Sequence, residues 1–230
     1  MAKKEFFCIV DSETTINDKV FDFAAVVCDR HGNIQNQCAI IVNEFSQEDL
    51  FYDNRIAEWS KANAAKKREM YAAMVKDGRR MVAGYAAVNR WLEKVIAKYN
   101  PMLTAYNLAF DSGKCANSGI DLTGFANRFC LWHLSSELFA KKKAYKAFAL
   151  ENHYFGNRTE KGNMVITTNA EKMAHFVKGE YNKEPHTALE DIIDFELPIM
   201  VACLKKRDWK NQCNTAYSWR DYIVKNHYKA

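Results

Sequence analysis

Proline and glycine are scarce, with 3 and 9 among 230 residues. That excludes collagen-like and Pro-rich architectures and leaves no Pro/Gly/Ser-rich linker to divide the chain. A single domain over residues 1–230 is therefore expected. The seven cysteines include no CxxC pair. Their scatter argues against a disulfide framework and for reduced thiols in a cytoplasmic setting. Cys130-Leu131-Trp132-His133 has the spacing of half a zinc site, but no second half accompanies it. No apolar run is long enough to span a bilayer, so no membrane association is expected. The opening residues lead straight into an apolar strand and lack the apolar region of a signal peptide. Low-complexity tracts and internal repeats are also missing.

What is present suits a packed protein with a polyanionic partner. Hydrophobic residues make up 48% of the chain, enough for one sizeable core or two small ones. The net charge is +5, and the basic residues cluster at Lys66-Lys67-Arg68, Arg79-Arg80, Lys141-Lys142-Lys143 with Lys146, and Lys205-Lys206-Arg207 with Lys210. Most such clusters are solvated helix faces, but one or two could follow a phosphate backbone. The 14 Phe, 11 Tyr and 5 Trp are a heavy aromatic load. Most of these belong to packing, with a few available to stack on bases.

Periodicity places the elements. Residues 5–10 read as a buried strand ending at Asp11. Residues 20–29 and 34–43 read as strands joined by a turn at His31-Gly32-Asn33. Helix is expected from about 48 to 99, with Val88, Trp91, Leu92, Val95, Ile96 and Tyr99 forming a core-facing stripe. Asn100-Pro101 stops it. A short strand over 102–106 leads to a helix near Phe110. Another strand over 128–132 leads into a helix running to 147. Residues 152–168 look irregular, with a hairpin around Lys161-Gly162-Asn163. Helices are expected near 170–178, from 188 to about 205 and over 214–228, the last within a helical C-terminal extension at 206–230. Strands first, then strand–helix alternation, predict an α/β fold with a mixed sheet covered by helices.

Three short constellations carry chemistry. In Asp11-Ser12-Glu13-Thr14-Thr15, alternate strand residues share a face, so Asp11 and Glu13 project together. Two carboxylates beyond an apolar run repel each other and lose hydration, a cost that a divalent cation relieves. An ordinary polar strand terminus is the competing reading. Asp194-Phe195-Glu196 repeats the spacing but lies within an expected helix, where residues two apart diverge, and reads as structural. In Tyr106-Asn107-Leu108-Ala109-Phe110-Asp111, a strand turns into a helix and delivers Asp111 near its start, where a carboxylate also suits the helix dipole. In Pro185-His186-Thr187-Ala188-Leu189-Glu190-Asp191, Thr187 and Glu190 form a capping box that starts a helix at Ala188. His186 then lies just outside the helix and Asp191 in its first turn, so both can face one site. The other histidines, at 31, 133, 153, 175 and 227, lack such a partner and read as structural or surface residues.

Taken in order, the three phrases resemble the motifs of the DEDDh (DnaQ-like) 3′→5′ exonucleases. That family includes proofreading subunits of bacterial polymerases, RNase T and oligoribonuclease. The resemblance runs from about residue 5 to about 200 and departs at Ser12, where a bulkier apolar residue is common. It implies a ribonuclease H-like fold whose first three strands are antiparallel. It also implies two divalent metal ions, Mg²⁺ or Mn²⁺, about 4 Å apart. By the same resemblance Asp11 bridges both ions, Glu13 and Asp191 hold the one serving the nucleophile, and Asp111 serves the other. His186 acts as general base, and Ser12, Thr14, Asn107 and Phe110 contact the substrate. The implied reaction hydrolyses single-stranded nucleic acid to nucleoside 5′-monophosphates. DNA is favoured because the stand-alone chain and Phe155-Gly156-Asn157 look phage-type, which would place the protein in a host cytoplasm. The competing readings are an RNA-trimming or oligoribonucleotide exonuclease, a nuclease cutting internally, and a nucleic-acid-binding module without turnover. The sequence leaves the oligomeric state open.

Overall fold

A computed structural model describes residues 5–46, 48, 50, 59–159, 162–213 and 215–224, apart from the side chains of 59–64 and 157–158. Its six-stranded sheet is built from β1 (Phe6–Thr14), β2 (Val20–Asp29), β3 (Ile34–Val42), β4 (Met81–Ala83), β5 (Met102–Ala105) and β6 (Arg128–Cys130), in the order β4-β3-β2-β1-β5-β6. β1, β2 and β3 are mutually antiparallel. β5 runs parallel to β1, and β6 parallel to β5. This is the α/β, ribonuclease H-like arrangement that the motifs implied, with β4 added in parallel on the outer edge of β3.

Both central strands are apolar on both sides because both faces of the sheet are covered. Phe7 and Ile9 of β1, with Ala24 and Val26 of β2, enter one core. Cys8 and Val10, with Phe23, Ala25 and Val27, enter the other. The second core is closed by α2 (Tyr85–Tyr99) through Val88, Leu92 and Val95, and by α3 (Leu108–Ser118) through Leu108 and Cys115. α2 stops at Asn100, which takes a left-handed conformation (φ 43°) before Pro101. The first core is closed by the C-terminal helices. These include α6 (Ala170–Lys178) and α7, a continuous run of Ala188–Asp191, Ile192–Glu196 and Leu197–Leu204 whose middle stretch is wound as a π-helix. A smaller cluster of Phe21, Ile41, Leu50, Tyr71 and Met74 seats α1 (Trp59–Lys76) at one end of the sheet.

Several boundaries differ from expectation. β1 does not end at Asp11 but pairs with β2 as far as Thr14. The helical stretch expected over 48–99 is broken into α1 and α2. Gly78 takes a left-handed turn (φ +73°) after α1, and β4 then forms a short edge strand; residues 51–58 lie outside the described residues. α3 starts at Leu108, ahead of Phe110. The helix expected through 147 is α4 (Leu131–Ser135, continued by a π stretch Ser136–Ala140) and then α5 (Lys143–Glu151). The hairpin in 152–168 is present as β7 (Phe155–Arg158) and β8 (Met164–Ile166).

Over the described residues 206–213 and 215–224, the chain is not the continuous helical extension expected there. After the short α8 (Trp209–Gln212), a 3₁₀ turn at Trp219–Tyr222 leads to β9 (Ile223–Val224), which pairs with β8. Trp209 packs edge-on against Phe7, so this segment is fastened to the central sheet. Residues 225–230 lie outside the described residues.

The register of β1 opens the cleft. β5 pairs with it only from Phe7↔Met102 to Ile9↔Thr104, whereas β2 stays paired to its end. Residues 11–14 therefore have a strand on one side only. On the other side the chain leaves β5 and turns into α3, forming a crevice at the carboxyl ends of parallel strands, where α/β sheets commonly bind ligands.

Candidate active site

Three distant segments meet in this crevice. One cavity of about 280 Å³ is lined by Asp11, Ser12, Glu13, Thr14, Asn107, Phe110, Asp111, His186 and Asp191, together with Tyr106, Asn169, Ala170, Glu184 and Glu196. Every residue that the sequence singled out for the site lines it.

Strand alternation puts Asp11 and Glu13 on the face shared with Phe7 and Ile9, toward α7. Ser12 points the other way, toward α3, and its hydroxyl donates to Asp111 Oδ1 at 2.8 Å. Asp111 thus reaches the cavity from the opposite face of the sheet and is buried. Ser12 thus orients an acidic residue of the cavity. Phe110, one position earlier, remains 45% exposed at the mouth of the cavity, with Lys114 Nζ 4.9 Å from its ring centre.

α7 starts at Ala188 as the sequence predicts, but its cap differs. Thr187 makes no side-chain cap to the helix backbone; its hydroxyl donates to the Glu190 side chain at 2.8 Å. The amide of Ala188 instead donates to Asp22 Oδ2 on β2 at 3.0 Å. Asp22 and the buried Arg80 form a two-pronged ion pair at 2.9 and 3.1 Å, and Arg80 also binds Glu190 at 2.6 Å. A fully buried charge is stable only when paired in this way. The network ties β2, the turn before β4, and α7 into one support for Asp191. Its signal in the sequence is Asp22, a carboxylate set among the apolar residues of β2 rather than at its end, where Asp29 lies.

His186 occupies a left-handed conformation (φ 56°), which is uncommon for a residue with a side chain and is often held at functional sites. Its carbonyl accepts a 2.6 Å hydrogen bond from Lys67 Nζ on α1. A ligand atom from each of Glu13, His186 and Asp191 lies within 4.8 Å of the other two, the only such trio among the described residues. Cys130 and His133 thus belong to no such group; the Cys130 thiol contacts the Tyr106 carbonyl and His133 stacks on Tyr217.

The sequence predicts a structural Glu196, yet it is buried in the cavity wall. The Tyr106 amide donates to its Oε1 at 3.1 Å, while Oε2 has no hydrogen-bond partner. The usual α-helical rotation predicts that residues 191 and 196 diverge by about 140°. The π stretch brings residues five apart back toward one face. Pro198 explains the winding, because it has no N–H to offer the Asp194 carbonyl. That carbonyl accepts from Lys178 Nζ instead. Pro198 inside an expected helix was the available signal.

Six carboxylates line the cavity: Asp11, Glu13, Asp111, Glu184, Asp191 and Glu196. Burial pushes Glu13 up to about 8, with Lys67 opposing the shift and Asp22 adding to it. Burial raises Asp111 to about 7 against the Ser12 hydrogen bond. Burial and then the charge of Glu184 raise Asp191 to about 10. Asp11 and Glu196 are raised well above the ordinary carboxylate range by burial and like charge. Asp191 Oδ1, like Glu196 Oε2, is buried without a hydrogen-bond partner. An oxygen-rich donor set with one imidazole and orphaned carboxylate oxygens fits a hard divalent cation such as Mg²⁺ or Mn²⁺.

Most basic clusters do not line the cavity. Arg80 is internal, Lys141 pairs with Glu137 and Asp221, and Lys210 pairs with Glu5. No described helix is long and apolar enough to cross a membrane.

The fold and cavity define a mixed-sheet α/β protein with an acidic crevice suited to cations. No protein-family model matches the chain, and no curated protein does. Among solved structures it is similar to exonuclease I in complex with the inhibitor BCBP, at 13% identity and a TM-score of 0.45. The match covers 91% of this chain and 43% of that one, so the chain spans less than half the length of that exonuclease.

Proposed function

We propose that the protein is a metal-dependent 3′→5′ exonuclease of the DEDDh type that hydrolyses single-stranded nucleic acid to nucleoside 5′-monophosphates. The observation that carries this reading is the convergence of Asp11, Glu13, Asp111, His186 and Asp191 in one cavity from segments far apart in sequence. Chance phrases have no reason to meet in this way.

Asp11, Glu13, Asp111 and Asp191 would hold two divalent cations, Mg²⁺ or Mn²⁺. Bound cations supply Lewis-acid polarisation of the phosphate and acidify water. His186 takes the proton of the attacking water, a task suited to an imidazole. Its left-handed backbone and the Lys67 contact hold it beside Glu13 and Asp191. Phe110 offers an exposed face for the terminal base, while the Lys114 ammonium near its ring is paired with Asp18. Ser12 contributes through its hydrogen bond to Asp111, while Thr14 and Asn107 line the pocket for the chain end. The cavity volume is that of a small-ligand site, which favours a chain end over a duplex. We read the chain as one domain and expect it in the cytoplasm.

DNA is put ahead of RNA on the phage-type look of the chain. The phrase Phe155-Gly156-Asn157 lies in β7, and Phe155 and Gly156 are not among the cavity-lining residues. Matched 5′-labelled DNA and RNA single strands, incubated with Mg²⁺, Mn²⁺ or chelator, test the reading. A metal-dependent ladder shortening from the 3′ end is expected, faster on DNA. A faster RNA ladder would reassign the substrate, and no ladder on either strand would remove the exonuclease reading.

A further inference from the structure

We propose that Glu196 is an additional cation-holding carboxylate of this cavity, serving the cation on the Asp11–Asp111 side through its Oε2, directly or through a water. The inference rests on the metal-dependent reading above and adds a residue outside the four motif carboxylates.

Three observations carry it. Glu196 is 3% exposed and its Oε2 has no hydrogen-bond partner. A buried carboxylate oxygen left unmatched is costly, and a cation is the kind of ligand that removes the cost. The other oxygen is fixed by the Tyr106 amide, which sits where β5 gives way to the α3 turn, so the carboxylate cannot rotate away without orphaning that N–H. Finally, the π stretch of α7 places Glu196 on the cavity side with Asp191. Its like-charge neighbours are Asp11, Asp111, Glu184 and Asp191. Glu13, His186 and Asp191 already form a compact group. Glu196 augments Asp11 and Asp111, two of the carboxylates outside that trio.

A solely structural role would also use the Tyr106 hydrogen bond, so the test must separate charge from shape. Glu196→Gln retains the acceptor for Tyr106 and removes the charge. Asp194→Asn, two positions away on an exposed side chain, is the control. Mn²⁺ titration followed by electron paramagnetic resonance reads binding without turnover, and thermal melts in chelator read the metal-free protein. Glu196→Gln should weaken Mn²⁺ binding about 10–100-fold, the size seen when groups supporting a metal site are removed. It should also raise the melting temperature in chelator, because a buried carboxyl crowded by like groups is replaced by a neutral amide. Asp194→Asn should change neither.

Wild-type affinity in Glu196→Gln would overturn the inference and leave the metal-dependent reading standing. So would a lower melting temperature in chelator, which would mark Glu196 as a structural group. A folded wild-type protein that binds no Mn²⁺ would overturn both.

Discussion

The chain contains the string Asp-x-Glu twice among the segments that bear on the site, and the two copies behave differently. In β1 both Asp11 and Glu13 enter the cavity, because a strand repeats every second residue. In α7 the string splits: Asp194 is exposed, while Glu196 is buried in the cavity wall. The second pair is separated by helical rotation, as α-helical geometry predicts. Which member turns inward is set by the π winding before Pro198. Spacing in a sequence has chemical meaning only after the local winding is known.

The largest expected effect falls on the first string. Asp11→Asn should reduce turnover below detection with the protein still folded, and Asp194→Asn should leave turnover within about twofold of wild type, surface changes being close to neutral. Nuclease assays alongside circular dichroism check both. An unfolded Asp11→Asn protein would break the comparison, since Asp11 would then be structural.

The next effect concerns His186. His186→Ala should lower turnover by about 10²–10⁴-fold, the usual contribution of a general base, while Mn²⁺ affinity is largely kept. Parallel loss of turnover and affinity would instead make His186 a ligand beside Glu13 and Asp191. A smaller effect is expected at the mouth. Phe110→Ala should raise KM for a single strand by roughly tenfold with kcat little changed, in line with about 1–3 kcal/mol for a stacked base. An unchanged KM would place the terminal base elsewhere.

The smallest effect is on stability. Asp111 and Glu13 are raised to about 7 and about 8 in the folded protein, so the native state binds more protons than the unfolded state. In chelator, the stability contribution of these groups is fully present below their ordinary values near pH 4. It is lost as pH rises through about 7 and 8. Chemical denaturation across that range should show the decline. Saturating Mg²⁺ should flatten it, because a ligand bound only by the folded state stabilises that state. Asp194→Asn should not alter the slope, whereas a chelated protein that gains stability over the same range would contradict the assigned burial.

Much of the fold was legible. Residues 20–29 and 34–43 alternate with turn chemistry at Gly32, and they form β2 and β3. The three motifs contain most of the residues that line the cavity, but not Asn169, Ala170, Glu184 or Glu196. What escaped depended on partners distant in sequence. β4 is only three residues long and exists because it pairs with β3. The Ala188 cap comes from Asp22 rather than from Thr187, which binds the Glu190 side chain. Ile223 and Val224 fall within an expected helix but join β8 as a strand, with Tyr222 buried beside them. Periodicity describes a segment against its own neighbours and carries no record of such distant contacts.

The central claim is that the acidic crevice removes nucleotides from a free chain end with the help of divalent cations. It is tested most directly by offering the protein linear and covalently closed circular single-stranded DNA of the same sequence, with Mg²⁺ and with chelator, and following released mononucleotides. The account predicts nucleoside 5′-monophosphates from the linear strand only, and only with metal. Cleavage of the circle at comparable rate would contradict it and make the protein a nuclease that cuts internally.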